Sequence, residues 1–195
     1  MSARVELVKV AIVAHPRKTD APMAVRNVRE CLLERGIEVV LEEETARLIQ
    51  EVGKLDFADG ADLVISLGGD GTLLKTLHRL GPRPIPIAGV NIGTLGFLTA
   101  CTDEEIDLLG DHLANEEMNI VERSMLKVEM TEEGGELHQF LALNEAVLMR
   151  GETVRLVSLE ARVDGELLIQ YRSVGLIGAP PTGSTAYSMS AGGPL

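Results

Sequence analysis

The most constraining feature of this chain is an apolar run, Asp62-Leu63-Val64-Ile65-Ser66-Leu67, that feeds into Gly68-Gly69-Asp70-Gly71-Thr72 and then into Leu73-Leu74-Lys75-Thr76-Leu77-His78-Arg79-Leu80. The first segment reads as a short buried strand and the last as a helix, which places the glycine motif on a strand-to-helix turn. Gly68, Gly69 and Gly71 leave the backbone free to take positive φ and let a ligand approach the main chain, while the helix start offers unpaired N–H groups suited to phosphate. Asp70 is the odd member. A carboxylate there repels phosphate unless it serves a magnesium ion or takes a proton from an attacking hydroxyl. A structural turn with Asp70 capping the helix also fits these residues. Neither common phosphate loop does: no Gly-Lys pair stands at P-loop spacing, and Leu74 occupies the place of the third Rossmann glycine.

Strands and helices alternate around this turn. Residues 8–14 form a β-branched run, and residues 21–35 carry Val25, Val28 and Leu32 at helical spacing before Gly36. Residues 37–41 read as a second strand, residues 44–52 as a short helix with Ala46, Ile49 and Val52 inward, and residues 85–91 as the strand after the 71–80 helix. This alternation predicts a doubly wound, largely parallel sheet, whose ligands bind beyond the carboxyl ends of the strands. A second glycine loop, NIGTLGFLT at 91–99, lies at such an end. Thr102-Asp103-Glu104-Glu105 is a capping-box pattern opening a helix with Ile106, Leu109 and Leu113 on one face.

The pattern changes near residue 120. Residues 121–130, 137–149, 154–163 and 166–172 alternate or run β-rich, with hairpin turns at 133–135 and 164–165 and no further helix expected. The predicted organisation is an α/β domain over 1–120 and an all-β, sandwich-like domain over 121–195 that looks incomplete at its C-terminal end. The last stretch holds Thr182, Gly183, Ser184, Thr185, Ala186, Tyr187, Ser188 and Ser190, donors and acceptors suited to a nucleotide base or ribose.

Composition narrows the ligand. A net charge of −12 and aromatics at 3% without Trp argue against a nucleic-acid platform, so an anionic ligand must be caught by a local site. Cys31 and Cys101 have no metal-ligand spacing and fit a reducing cytoplasm as buried bystanders. No basic-then-apolar leader and no apolar run of about 18 residues is present, so a soluble, cytoplasmic chain without a membrane span is expected. His15 at the end of the first strand reads as a surface or packing residue. His78, His112 and His138 have no partner pattern, so no metal site is expected from them. Glu42, Glu43 and Glu44 read as a solvated edge or helix start.

GGDGTLLK at 68–75, NIGTLGFLT at 91–99, Asn144-Glu145 and PTGSTAYSMSAGGP at 181–194 together resemble the NAD kinase family over nearly the whole chain. GGDG turns also occur in diacylglycerol and sphingosine kinases and in phosphofructokinases; the Asn-Glu pair and TGSTAYS are the more specific segments. The resemblance implies an enzyme of NADP biosynthesis that transfers the terminal phosphoryl of ATP or polyphosphate, with magnesium, to the 2′-hydroxyl of the adenosine ribose of NAD. Asp70 would be the general base, in agreement with the chemistry of the loop. By the same matching, Gly71 and Lys75 would contact the dinucleotide or phosphates, Asn144 and Glu145 would hold the ribose, and Thr185, Ala186, Tyr187 and Ser190 would line the adenosine site. Arg155 and Arg172 match positions near phosphate or the second end of the dinucleotide. A homodimer or homotetramer is implied.

Two positions depart from the resemblance: Val174-Gly175 stands where relatives carry Asp-Gly, and Pro180-Pro181 where they carry Thr-Pro. The absent carboxylate is one that commonly helps hold the nicotinamide half. A lipid or sugar kinase of the wider GGDG superfamily and a non-catalytic dinucleotide-binding module are the competing readings.

Overall fold

The computed structural model describes residues 8–116, 118–151 and 155–195. It divides into two units, Met1–Val121 and Glu122–Leu195.

In the first unit the elements are β1 (Lys9–Ala14), α1 (Ala21–Glu34), β2 (Glu38–Leu41), α2 (Glu43–Leu48), β3 (Leu63–Gly68), α3 (Asp70–Leu80), β4 (Ile87–Asn91), β5 (Cys101–Thr102), a 3-10 turn at Asp103–Glu105 and α4 (Ile106–Ala114). The five strands pair in parallel in the order β2-β1-β3-β4-β5. Both faces of the central strands are covered, which is why all six residues of β3 are buried and why β1 and β3 read as unbroken apolar runs rather than alternating ones. Val10, Ile12, Leu63, Ile65 and Leu67 pack with Val25, Val28 and Leu32 of α1 and with Ile106 and Leu113 of α4. Ala11, Val13 and Val64 pack with Leu80 of α3, Phe57 and Ala58. α1 stops where expected: Gly36 takes φ 76°, and the amides of Gly36 and Ile37 close back on the carbonyls of Leu33 and Leu32 at 3.0 Å.

Two expectations in this unit are corrected. The second helix ends at Leu48 rather than 52, and Val52 is 95% exposed instead of inward, because Gln50 turns the chain at φ 62° and helical spacing no longer applies beyond it. Glu42 is at the helix start that the sequence allowed, but it is not solvated: it is 2% exposed and caps α2, its carboxylate accepting from the amides of Glu44 and Thr45, the Thr45 hydroxyl and Arg79. Burial alone would push this carboxyl up, but the Glu44 amide, Arg79 and Thr45 together outweigh it and hold it below the ordinary range. Thr45 Oγ1 in turn accepts the Ala14 amide at 2.8 Å, so one network ties the end of β1 to α2 and to the last turn of α3. The capping box at Thr102 is present, its amide donating to Glu105 at 3.0 Å, and a short fifth strand precedes it that the sequence pattern did not reveal.

The second unit contains β6 (Leu126–Thr131), β7 (Leu137–Ala142), β8 (Ala146–Met149), β9 (Val157–Val163), β10 (Glu166–Ser173), β11 (Gly175–Gly178), a 3-10 turn at Pro181–Thr185 and α5 (Tyr187–Ser190). The strands form three antiparallel pairs, β6 with β7, β9 with β10 and β8 with β11. Both predicted hairpin turns are there. Asp164 and Gly165 take φ 51° and 85°, the primed turn that matches strand twist. Val154, the expected first residue of one strand, lies outside the described residues. The strand expected over 137–149 is two strands broken at residues 143–145, and the stretch expected to lack helix carries α5 and the 3-10 turn. Pro180 and Pro181 set the backbone for that turn, and elements of four or five residues leave no periodicity to read.

Candidate active site

The GGDG turn is built from packing rather than from left-handed backbone. None of Gly68, Gly69 and Gly71 takes positive φ, contrary to the sequence expectation. Gly68, the last residue of β3, lies flush against Thr72, where a Cβ would overlap the threonine side chain. Gly69 caps α3 in extended conformation, and its carbonyl accepts the amides of Thr72 at 2.9 Å and Leu73 at 3.1 Å. Beside Gly71 there is open space, with no atom within 4 Å of where a Cβ would stand. Each glycine thus serves a different purpose on one turn.

Asp70 is the first residue of α3, so the cap belongs to Gly69 and the aspartate is free to point elsewhere. Its Oδ2 accepts the Phe97 amide at 3.0 Å and its Oδ1 the Leu98 amide at 2.9 Å. Gly96 makes this grip possible: a Cβ there would collide with Asp70 Oδ1. Thr99 Oγ1 steadies the same loop by accepting the Gly96 amide at 3.0 Å. The two glycine loops at the ends of β3 and β4 therefore meet on one carboxylate, which keeps lone pairs for a further donor. Thr72 is buried under the turn, whereas Lys75 is exposed one helical turn beyond Gly71.

Sequence reasoning missed Lys18, Asn91 and the two amides that hold Asp70. Lys18 Nζ donates to the carbonyls of Gly68 at 2.8 Å and Ile92 at 2.6 Å, and Asn91, 5% exposed, lies with its side chain against Gly69. The usable signal was topological: in a parallel sheet the turns after β1, β3 and β4 share one edge, which collects the 15–20, 68–72 and 91–99 segments. His15 has a local part there, its Nδ1 accepting the Arg17 amide at 3.1 Å.

In the second unit the structure brings Asn144-Glu145 and the 182–188 segment together. Asn144 and Glu145 occupy the break between β7 and β8, and the Pro181–Thr185 turn rests on it so closely that a Cβ on buried Gly183 would run into the Asn144 carbonyl. Glu145 Oε2 is buried with no hydrogen-bond partner among the described residues, an acceptor that calls for a donor. Thr182 Oγ1 receives Arg123 at 3.4 Å, Ser188 Oγ lies against Gly193, and Ser184 and Ala186 are half-buried. Thr185, Tyr187 and Ser190 are exposed. Arg172, on β10 opposite Ser158, is exposed, as are Arg155 and Val174.

His138 is not partnerless, as the sequence suggested. Its Nε2 lies 3.4 Å from Glu132 and 3.7 Å from Glu136 across the β6–β7 hairpin, ion-pair distances without a hydrogen bond. Cys31 is buried and Cys101 half-buried, both as free thiols. Burial, with Glu105 adding to it, pushes Cys101 up to about 11, and burial raises Cys31 as well despite the neighbouring Arg35. Among the described residues no helix is long and apolar enough to cross a membrane.

Comparison with known proteins adds the following. The family model for the ATP-NAD kinase N-terminal domain matches residues 10–118, and that for the ATP-NAD kinase C-terminal domain matches residues 143–195. The NAD kinase of Syntrophotalea carbinolica is 39% identical over 194 residues, covering 96% of this chain and 67% of its own length. Among solved structures, yeast NADH kinase complexed with NADH aligns with TM-score 0.89 at 26% identity, covering 98% of this chain and 63% of its own. An NAD kinase from Archaeoglobus fulgidus in complex with ATP aligns with TM-score 0.70 at 30% identity, covering 95% and 66%. The chain spans about two thirds of the length of these relatives.

Proposed function

The chain belongs to the NAD kinase family, and on that premise we propose that it transfers the terminal phosphoryl group of ATP, or of polyphosphate, to the 2′-hydroxyl of the adenosine ribose of NAD. The observation that carries the reading is Asp70, pinned on both carboxylate oxygens beside a turn with open space at Gly71. A ribose hydroxyl is a weak nucleophile until a positioned base takes its proton. In the reaction Asp70 accepts that proton, the new oxygen–phosphorus bond forms, and the bond to the donor's bridging oxygen breaks, releasing ADP or a shortened polyphosphate.

The remaining residues bind and orient. The backbone from Gly68 to Thr72 faces phosphate at the start of α3, where the helix dipole favours negative charge. Lys75, Arg155 and Arg172 contribute positive charge toward phosphates. Glu145 and Asn144 hold ribose hydroxyls, for which the unpartnered Glu145 Oε2 is a ready acceptor. Thr182, Gly183, Ser184, Thr185, Ala186, Tyr187, Ser188 and Ser190 make the adenosine side. The donor set suits a magnesium ion carried mainly by phosphate oxygens, since Asp70 is the single carboxylate of the loop; bound there, the ion would offset charge on the transferred group. The reading includes a cytoplasmic location and assembly as a homodimer or homotetramer, the latter measurable by light scattering.

The deciding experiment incubates the purified chain with NAD, magnesium and either ATP or polyphosphate, and detects NADP by mass spectrometry, with Asp70→Asn alongside. NADP from the parent and none from a folded variant is the expected result. A variant that loses its fold would make Asp70 a structural residue. Tight NAD binding by the parent without turnover would favour a non-catalytic dinucleotide-binding module.

A further inference from the structure

Lys18 stands on the turn after β1 and reaches across the carboxyl edge of the sheet, where its ammonium donates to Gly68 O at 2.8 Å and Ile92 O at 2.6 Å. These carbonyls close β3 and follow β4, and the Ile92 amide also donates to Gly68 O at 3.0 Å. Gly68 is two residues before Asp70. Ile92 opens the segment whose Phe97 and Leu98 amides grip the Asp70 carboxylate. One side chain therefore fastens both jaws of that grip. An ammonium taken half out of water needs charge-assisted partners, and distances this short mark such bonds. Lysine also suits the place chemically, because its three donors serve two carbonyls and leave a positive charge on the edge where an anion docks.

We propose that Lys18 is a positioning residue for phosphoryl transfer: by holding the ends of β3 and β4 together it keeps Asp70 on its two amides in the orientation that accepts the substrate proton. Its kinetic part rests on the kinase reading, whereas its structural part does not.

The test uses the full chain with Lys18→Met, which keeps the stem and removes the charge, Lys18→Ala and Lys18→Arg. Lys18→Met is expected to lower kcat ten- to hundred-fold, the cost of a misplaced reacting group, with KM for NAD within about threefold. Propylamine should restore part of the activity of Lys18→Ala and leave the parent unchanged. Hydrogen–deuterium exchange over residues 93–100 should quicken in Lys18→Met while residues 9–14 and 38–41 keep their protection. Unchanged kcat with unchanged exchange overturns the proposal, and so does a lowered kcat with neither faster exchange nor amine rescue. If the parent makes no NADP, the kinase reading has failed and exchange alone decides Lys18, with unchanged protection overturning it. Should Lys18→Met not fold, Lys18→Arg decides: the longer side chain must lower kcat at unchanged KM, and parental kcat overturns the proposal.

Discussion

The amide of Leu98 donates to Asp70 Oδ1 at 2.9 Å, joining residues 28 positions apart. With the matching bond from Phe97, the orientation of Asp70 is set by the loop after β4 rather than by the helix it begins. The carboxylate is thus held by the chain's own backbone, and every residue that shapes the opposite loop acts on it.

Gly96→Ala tests this most directly, because the added methyl collides with Asp70 Oδ1. The variant should fold, with an unchanged circular dichroism spectrum, and lose about 10²-fold in kcat. Steady-state kinetics at saturating NAD read the effect, and parental kcat would mean that the grip is irrelevant to turnover.

Gly71→Ala and Gly183→Ala should behave oppositely. Gly71 faces open space, so its alanine variant keeps the parental melting temperature, and its KM for the phosphoryl donor rises if phosphate approaches the backbone there. Gly183 touches the Asn144 carbonyl, so its variant must displace the 143–145 break, with a lower melting temperature and weakened NAD binding by calorimetry.

Glu42→Gln removes a charge that is 2% exposed and paired with Arg79 at 2.9 Å. The expected loss is about 3 kcal/mol at pH 7, measured by urea unfolding. The folded carboxyl lies below its ordinary range, so its contribution is fully present above the unfolded value of about 4.3 and fades as pH falls through the folded value. Parent and variant stabilities should therefore converge in acid; a gap that stays constant to pH 3 would contradict the assignment.

Both thiols should resist modification in the folded chain. Cys31 is buried, and Cys101 is pushed up to about 11, leaving little thiolate at pH 8. A disulfide reagent should label neither rapidly in buffer and both in denaturant.

The parallel sheet was legible because burial on both faces writes itself as unbroken apolar runs at β1 and β3, and because Gly36 and the Thr102 capping box mark their helix boundaries by residue type alone. The exposure of Val52 and the burial of Glu42 were not legible. The first keeps helical spacing one turn past a helix that Gln50 had already ended, and the second depends on Arg79 arriving from elsewhere in the fold. Among the candidate residues, Asp70 in the first unit and the Asn144-Glu145 pair in the second stand out by residue type. Lys18 does not, since nothing in one lysine on a turn tells which strand ends it will bridge, and the Phe97 and Leu98 amides belong to the backbone, which carries no letter of its own.

The three glycines of the turn at 68–71 answer to different physical demands, and so they are exposed to different selection. Drift at position 68 would be removed by failed folding and low cellular abundance, and at position 71 by slow turnover in a chain that accumulates normally. A library screened first for yield and then for product would separate the two positions, although they belong to the same four-letter word.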